Sequence, residues 1–521
     1  MTEQDFDYSA RRAARGHSQS VLGGLGMILG SSYCDMLLGL IRGLLVMRAI
    51  GPTARGLMRL VHLFGHYLTH SHLGSLHGLS KELPLALGRN DDKDATHIEN
   101  VGTTAVVLLA TVASGGMLAW ALLGPGMQGP TRLTLAIGAG IILGGQAIAL
   151  YRVVLRAWGT YSVLAVATMV MSLAQFGLIV AGAVFFGLMG AMWGWLAAVT
   201  VSLLYFTIVG NFYIRPHLDR PMLWRLIRVG MPIAGVLFSG ILLRTIDGVL
   251  VIKYFDAYRF GLYSVAMQIA AYLYRIPEAA GFVLMPRIWE RYGADRRPEA
   301  LRDYVIRPTL AAGLIMPILA GFVFIIMPVM INTIIPRFAP AIFAAQVLSL
   351  AAVFLALPVA ADGALIAFKE EWIVIANKLA GAAVAAAGIL ALLTTPTIEP
   401  SLARIAMAAA AGYVVTSVLT LYIVLGRYYR RRSQLWAELA VCYLPLLWAI
   451  IALKSSGAAT DWMLGASANM WADMALRCLC FAVLVLPMLW YAERRTALLD
   501  EVRRRAAEGL HKRLQSGEEE E

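Results

Sequence analysis

The sequence predicts an all-α polytopic membrane protein of about fourteen transmembrane helices. Three observations carry this. Hydrophobic residues make up 59% of the 521-residue chain and charged residues only 15%, against about 25% charged in an ordinary soluble domain. The charges fall in short bursts between apolar runs of roughly 20 to 25 residues, the length of helix that crosses about 30 Å of hydrocarbon. Basic residues also alternate in density from loop to loop, as the positive-inside rule requires. A soluble enzyme of this length would divide into domains joined by polar linkers, and the sequence has none. The net charge of +12 would suggest a nucleic-acid binder in a polar chain. In this apolar one it needs another explanation, and no nucleic-acid partner is expected.

The N-terminus is polar and basic up to Ser18, and no small-residue cleavage site follows, so an uncleaved first span is expected. Spans fall at roughly 20–48, 57–84, 99–124, 131–153, 161–182, 185–209, 229–255, 260–285, 305–331, 340–367, 372–394, 401–425, 436–454 and 470–491. Helices are forced because every backbone N–H and C=O must be paired inside lipid. The alternating signature of a membrane barrel is absent. Gly51-Pro52, Gly124-Pro125, Pro396 and Pro400 punctuate boundaries; the sixth span is the least distinct from its predecessor. With the N-terminus inside, roughly 31 of the 44 lysines and arginines fall on the inner side and roughly 9 on the outer. Arg42, Arg244, Arg275 and Arg477 remain within spans. Both termini are thus expected in the cytoplasm. The tail from Glu493 has a helical pattern suited either to anionic headgroups or to plain solvation. Cys34, Cys442, Cys478 and Cys480 lie in apolar runs without C-x-x-C spacing, so neither disulfides nor a metal site is expected.

An internal repeat organises these spans. At an offset of 205, Gly43 matches Gly248, Leu45 matches Leu250, Val46 matches Val251 and Arg48 matches Lys253. Further on, Gly56 matches Gly261 and Leu57 matches Leu262, and Arg42 falls opposite Asp247. An even number of spans separates the copies, so both run in the same direction. This predicts two pseudo-symmetric six-helix lobes, 20–217 and 218–426, then two further helices within 427–491. The remaining pieces are cytoplasmic tails at 1–19 and 492–521. Transporters built from such repeats bind cargo between the lobes.

Ionisable groups inside a bilayer are costly and mark a pathway by default. Here they concentrate in four helices. Span one carries Asp35 and Arg42; span seven, Arg244 and Asp247; span eight, Arg275 and Glu278. Span two carries His62, His66, His70, His72 and His77, of which four share a stripe about 80° wide on a continuous helix. At 1.5 Å rise, Asp35, His70, Arg244 and Arg275 lie roughly 20 Å into their spans. Arg244 with Asp247, and Arg275 with Glu278, also have the i,i+3 spacing of structural pairs. The histidines have a packing role as their plain reading and titration in a cavity as the sharper one. Arginines at mid-depth suit an anionic cargo group, because guanidinium binds phosphate oxygens bidentately and stays charged. Neither a P-loop nor a G-x-S-x-G elbow is present, so no enzyme activity is expected.

The stretch Arg42-Gly-Leu-Leu-Val-Met-Arg48-Ala-Ile-Gly51-Pro52-Thr-Ala-Arg-Gly56 resembles the first-span and outer-loop pattern of bacterial polysaccharide flippases. These are the Wzx-type exporters of the multidrug/oligosaccharidyl-lipid/polysaccharide (MOP) superfamily. Arg244-Thr-Ile-Asp247, Gly261-Leu-Tyr263-Ser264 and the loop Leu83-Pro84 to Asp94 with Gly88-Arg89 are similar too. The resemblance covers residues 20–430. It implies a multi-pass protein of the bacterial inner membrane that moves undecaprenyl-pyrophosphate-linked oligosaccharide by alternating access, for exopolysaccharide or O-antigen synthesis. The implied cavity residues are Arg42, Arg244, Arg275, His66 and His70, with Asp35, Asp247 and Glu278 in ion coupling or structural pairing. Implied partners are the lipid-linked oligosaccharide, membrane lipids and the polymerase or export machinery. No cofactor is implied beyond a proton or sodium gradient. Two departures stand out: Gly248 follows Asp247 where many relatives have a basic residue, and span two is unusually rich in histidine. The alternatives are a multidrug or metabolite antiporter of the same fold, and a lipid II flippase.

Overall fold

The computed structural model describes residues 21–89, 91–125, 129–209, 215–395, 401–464 and 469–496. The N-tail, the C-tail beyond residue 496 and the turn with Pro396 and Pro400 lie outside the described residues, and so does the placement of both termini. Among the described residues the regular elements are all helical. They are α1 (Val21–Leu68), α2 (Ser75–Gly88), α3 (Asp92–Leu123), α4 (Gly129–Ala157), α5 (Tyr161–Val209), α6 (Arg220–Tyr254) and α7 (Ala257–Ala294). They continue as α8 (Arg302–Ile334), α9 (Ile342–Ala356), α10 (Val359–Ala367), α11 (Glu371–Thr394), α12 (Leu402–Tyr428), α13 (Arg432–Leu464) and α14 (Met470–Thr496). Among the described residues ten helical stretches are long and apolar enough to cross a membrane. Their outer faces carry large apolar side chains such as Phe185, Phe186 and Leu123, as contact with lipid tails allows. The described residues form two compact units, divided between Ser264 and Val265.

Two helices are too long for one crossing. α1 has 48 residues and α5 has 49, about 70 Å each at the helical rise. Each contains one glycine outside helical geometry, Gly51 (φ 75°) and Gly187 (φ 62°). In α5 the backbone of Gly194 abuts Leu178, and Gly182 abuts Gly190. Both pairs are centred beside Gly187, so α5 is a hairpin of two limbs. This is where spans five and six divide. Hydropathy barely registers the boundary, because a single glycine makes the turn without polar loop residues. α1 also reverses at a glycine, but there Pro52 and the flanking Arg48 and Arg55 mark the boundary. Arg42 donates to Gln175 Oε1, while His62 stacks on Trp195 with ring centroids 4.3 Å apart. Trp195 follows Gly194, whose partner Leu178 is one turn from Gln175. A straight helix would separate residues 42 and 62 by about 30 Å, so α1 also folds back, at Gly51-Pro52 as the sequence suggests.

The second span differs from expectation. In place of one helix over 57–84, α1 ends at Leu68 and α2 begins at Ser75. Between them Leu73 (φ 50°) and Gly74 (φ 90°) are left-handed. The break brings Gly74 and Gly78 against the backbone of α6. A Cβ on Gly230 would overlap the Gly74 carbonyl oxygen, and one on Gly78 would overlap that of Leu226. Only glycines permit this approach. The apolar periodicity runs through the break, so sequence pattern did not mark it. The start of α6 is held by Arg225 to Glu82 and by Asp219 to His97 Nε2 at 2.8 Å. Trp158 Nε1 donates to the buried Glu99 at 3.0 Å.

The repeat has a geometric counterpart. A Cβ on Gly56 would overlap the carbonyl oxygen of Ala257, and one on Gly261 would overlap that of Pro52. Residues 52 and 257, like 56 and 261, are related by the offset of 205, so the contact is reciprocal in the way two-fold symmetry makes contacts reciprocal. In the second unit, α11 and α12 pack through Gly381 and Gly412. α13 and α14 lie on α8, where the buried Phe481 ring sits over Gly321. Arg477, expected within a span, is bound by Asp461 (3.0 Å) and Asp473 (2.9 Å).

Substituting alanine at Gly56 or Gly261 forces backbone apart, and we expect each to destabilise the protein by about 1–3 kcal/mol or more. Gly145→Ala, where a Cβ meets nothing within 4 Å, should shift the melting midpoint in detergent by far less. Equal shifts for all three would show that the reciprocal contact is not tight.

Candidate functional site

The first unit gathers most of the intramembrane charges. On the first limb of α1, Asp35 and Arg42 are two turns apart and both reach α5. Ser172 Oγ donates to Asp35 Oδ1 at 2.7 Å, and Arg42 donates to Gln175. The charge of Arg152 on α4 also bears on Asp35. Neither Ser172 nor Gln175 is a strong signal alone in an apolar span, yet they provide the receiving surface for both charged residues.

On the second limb of α1, Arg55 is buried and Arg59 half-buried. His62 donates through Nδ1 to the Met58 carbonyl at 3.1 Å, which fixes the ring against Trp195. His66 is exposed, and the charges of both Arg59 and Arg244 bear on it. Tyr67 donates to Thr245 Oγ1 at 2.8 Å, and Thr245 donates to the Ile241 carbonyl. That bond ties α1 to α6 beside Arg244.

Asp247 is fully buried, and its two oxygens have assigned donors. Tyr263 O–H donates to Oδ2 at 2.7 Å and the Gly248 amide to Oδ1 at 2.8 Å. The charge of Arg59 bears on it as well. The resembling motifs Arg244-Thr-Ile-Asp247 and Gly261-Leu-Tyr263-Ser264 therefore meet through one hydrogen bond. His70 lies beside Phe238, with centroids 5.7 Å apart. The break in span two dissolves the expected four-histidine stripe: His62 and His66 stay on α1, and His70 moves into the turn.

In the second unit Arg275 is exposed, with its guanidinium over the Tyr272 ring at 5.4 Å. Glu278 is exposed too. The unit's interior holds a charge pair that sequence reading did not single out. Lys378 Nζ on α11 lies 3.0 Å from Asp362 Oδ2 on α10, both side chains about 15% exposed or less. Beside it Asn377 Nδ2 donates to Thr420 Oγ1 at 3.2 Å, and Thr416 donates to the Asn377 carbonyl. Lys378 and Arg59 lie close to expected span ends and so look like loop charges. The signal that marks each is an acidic residue at matching depth on another helix, which one span read alone does not reveal.

Residues 85–337, nearly half of the chain, match the family described as "Polysaccharide biosynthesis protein". No curated protein matches the chain. The fold is similar to that of the lipid II flippase MurJ in an inward closed conformation, 13% identical with a TM-score of 0.65, over 90% of this chain and 99% of that one. It is similar to an inward-facing multidrug resistance MATE family transporter of the MOP superfamily, 15% identical with a TM-score of 0.61, over 78% and 95% of the two chains. A MOP superfamily transporter from Pyrococcus furiosus, described as having a binding pocket of reverse polarity, is 16% identical with a TM-score of 0.54, over 80% and 96%. The chain is thus a multi-pass membrane protein with the fold of MOP-superfamily transporters. Within that class, the family match and the fold together support the resemblance to polysaccharide flippases.

Two stability tests follow. Tyr263→Phe leaves a buried carboxylate oxygen short of a donor and should cost about 1–3 kcal/mol. Lys378→Met should cost about 3–5 kcal/mol, while Lys378→Met combined with Asp362→Leu recovers most of it, because the double change leaves no buried charge unpaired. A double variant as unstable as the single one would show that the two residues do not act as a pair.

Proposed function

We propose that this chain is a flippase that moves undecaprenyl-pyrophosphate-linked oligosaccharide repeat units from the inner to the outer face of the bacterial cytoplasmic membrane, by alternating access and without bond chemistry. The observation that carries the reading is the charge balance inside the first unit. Within α1, α4 and α6, Arg42, Arg55, Arg59, Arg152 and Arg244, each buried or half-buried, stand against Asp35 and Asp247, while the buried Glu82 of α2 and Glu99 of α3 are held by Arg225 and Trp158. Asp247 is further committed to Tyr263 and Gly248. An interior with this positive excess is suited to an anionic head group, and it disfavours a cationic drug, whose site would need carboxylates in excess. The match to a polysaccharide biosynthesis family supports a glycan cargo, and the likeness to a lipid II flippase supports a lipid-linked one. The isoprenoid tail can stay in lipid while the head group crosses.

In this reading Arg244 in the first unit and Arg275 in the second each bind the pyrophosphate at some stage of its passage. Asp35, His66 and His70 take part in coupling to a proton or sodium gradient. The polymerase and export machinery are the expected partners downstream.

Removing charge at both Arg244 and Arg275 should abolish polysaccharide export at normal protein levels, with lysine restoring part of it. Deletion of the gene should trap lipid-linked oligosaccharide on the cytoplasmic face. Intact export from the double variant would remove the role of the arginines. Normal outward appearance of the oligosaccharide in the deletion strain would remove the flippase reading.

A further inference from the structure

The break in span two assembles three histidines. The ring centroids of His70 and His72 are 6.1 Å apart, those of His70 and His77 6.4 Å, and those of His72 and His77 5.1 Å. His72 is buried and the other two are half-buried. Among the described residues no group of three or more histidine, cysteine or acidic side chains is placed to hold a metal ion. The ligand these rings can take as they stand is a proton.

Hydrogen bonds fix which nitrogen carries hydrogen. A backbone amide can only donate, so His72 Nδ1 accepts from the Gly74 N–H at 3.1 Å, and the neutral ring carries its hydrogen on Nε2. A carbonyl can only accept, so His70 Nδ1 donates to His66 O at 3.3 Å and its Nε2 holds a lone pair. The two rings are therefore in opposite tautomers. A proton added at His70 Nε2 leaves its existing bond intact. His72 is different: it can offer a lone pair to a charged neighbour only by carrying its own hydrogen on Nδ1. That turns the acceptor of the Gly74 amide into a donor.

The surroundings leave few other outlets for an added charge. Among the described residues, the charges that bear on His72 are those of His77 and His70. From α4 comes the uncharged Gln146, whose Nε2 donates to Leu68 O at 2.7 Å and to Ser71 Oγ at 3.0 Å. Its Oε1 is buried without a partner, an acceptor open to an N–H released at the turn. From α6 come the Gly230 and Met231 backbone against Gly74 and the Phe238 ring against His70; Arg225 of that helix is bound to Glu82. Gly74 itself is buried and left-handed, so its conformation depends on the bonds that hold the turn.

We propose that His70, His72 and His77 form a proton-binding site, and that binding one proton releases the Gly74 amide from His72 and remodels the turn over residues 69–74. One proton enters, it is shared among the three rings, and only N–H positions change. The inference rests on the transporter reading solely in making this turn part of a transport cycle.

The test is hydrogen exchange in the purified full-length protein, without cargo, with rates normalised to intrinsic exchange. In peptides spanning residues 69–78, protection should fall about tenfold between about pH 7 and about pH 4, a window set below the ordinary imidazole range by burial of the rings. In His72→Asn the side-chain oxygen replaces Nδ1 as acceptor and cannot be protonated, so the profile should be flat. His70→Gln combined with His77→Gln keeps the Gly74 bond and leaves His72 to take the proton alone, without rings to share it, so the fall should move to lower pH. No fall in the wild type, the same fall in His72→Asn, or an unmoved midpoint in the double variant overturns the proposal. Because exchange is read without cargo and export without exchange, failure here is distinguishable from failure of the flippase reading.

Discussion

In hydrocarbon, a polar group without a partner has no water to fall back on, and each unmade bond costs several kcal/mol. That constraint governs how this chain turns, breaks and carries charge. The hairpins of α1 and α5 reverse at single glycines, in α5 without polar loop residues. At the break in span two, where the regular ladder stops, shorter bonds take over. The His70 amide donates to Tyr67, Ser71 to Leu68 and Leu73 to His70, while Ser75 Oγ and Gln146 Nε2 supply further donors. The glycines at 74, 78 and 230 let backbone meet backbone, so packing offsets what the break loses.

Charges follow the same rule. Asp247 is tolerated with no exposure because a tyrosine and an amide donate to it, and Lys378 because Asp362 lies opposite. Buried pairs of this kind add little net stability, yet losing one partner is severe. They read as fixed points of each unit. On α1, α4 and α6 of the first unit, buried and half-buried arginines outnumber buried and half-buried carboxylates. The proposed anionic cargo answers that imbalance.

The net charge of +12 also finds its place. By the loop count most of the excess is expected on one face, where it would orient the chain. The functionally informative basic residues are the few inside the helices.

Much of the fold was legible in the sequence. Apolar runs of membrane length set the helical class, because lipid permits few other structures. Gly51-Pro52 marked a turn, and the offset of 205 paired the glycines that touch at 56 and 261. Asp35, Arg42, Arg244 and Asp247 were visible as charges in apolar surroundings. Their partners were less so: Ser172 and Gln175 carry no charge to mark them until α5 packs on α1, and Tyr263, though inside a resembling motif, is linked to Asp247 only where α6 and α7 meet. Arg59 and Lys378 looked like loop residues because depth near a span end depends on where neighbouring helices stop. The break at Leu73-Gly74 lay inside an unbroken apolar pattern and was decided by the approach of Gly230. Sequence determined which residues must enter the membrane, through the cost of exposing backbone to lipid. Tertiary structure decided which polar groups meet there, because that depends on how closely two helices can pack.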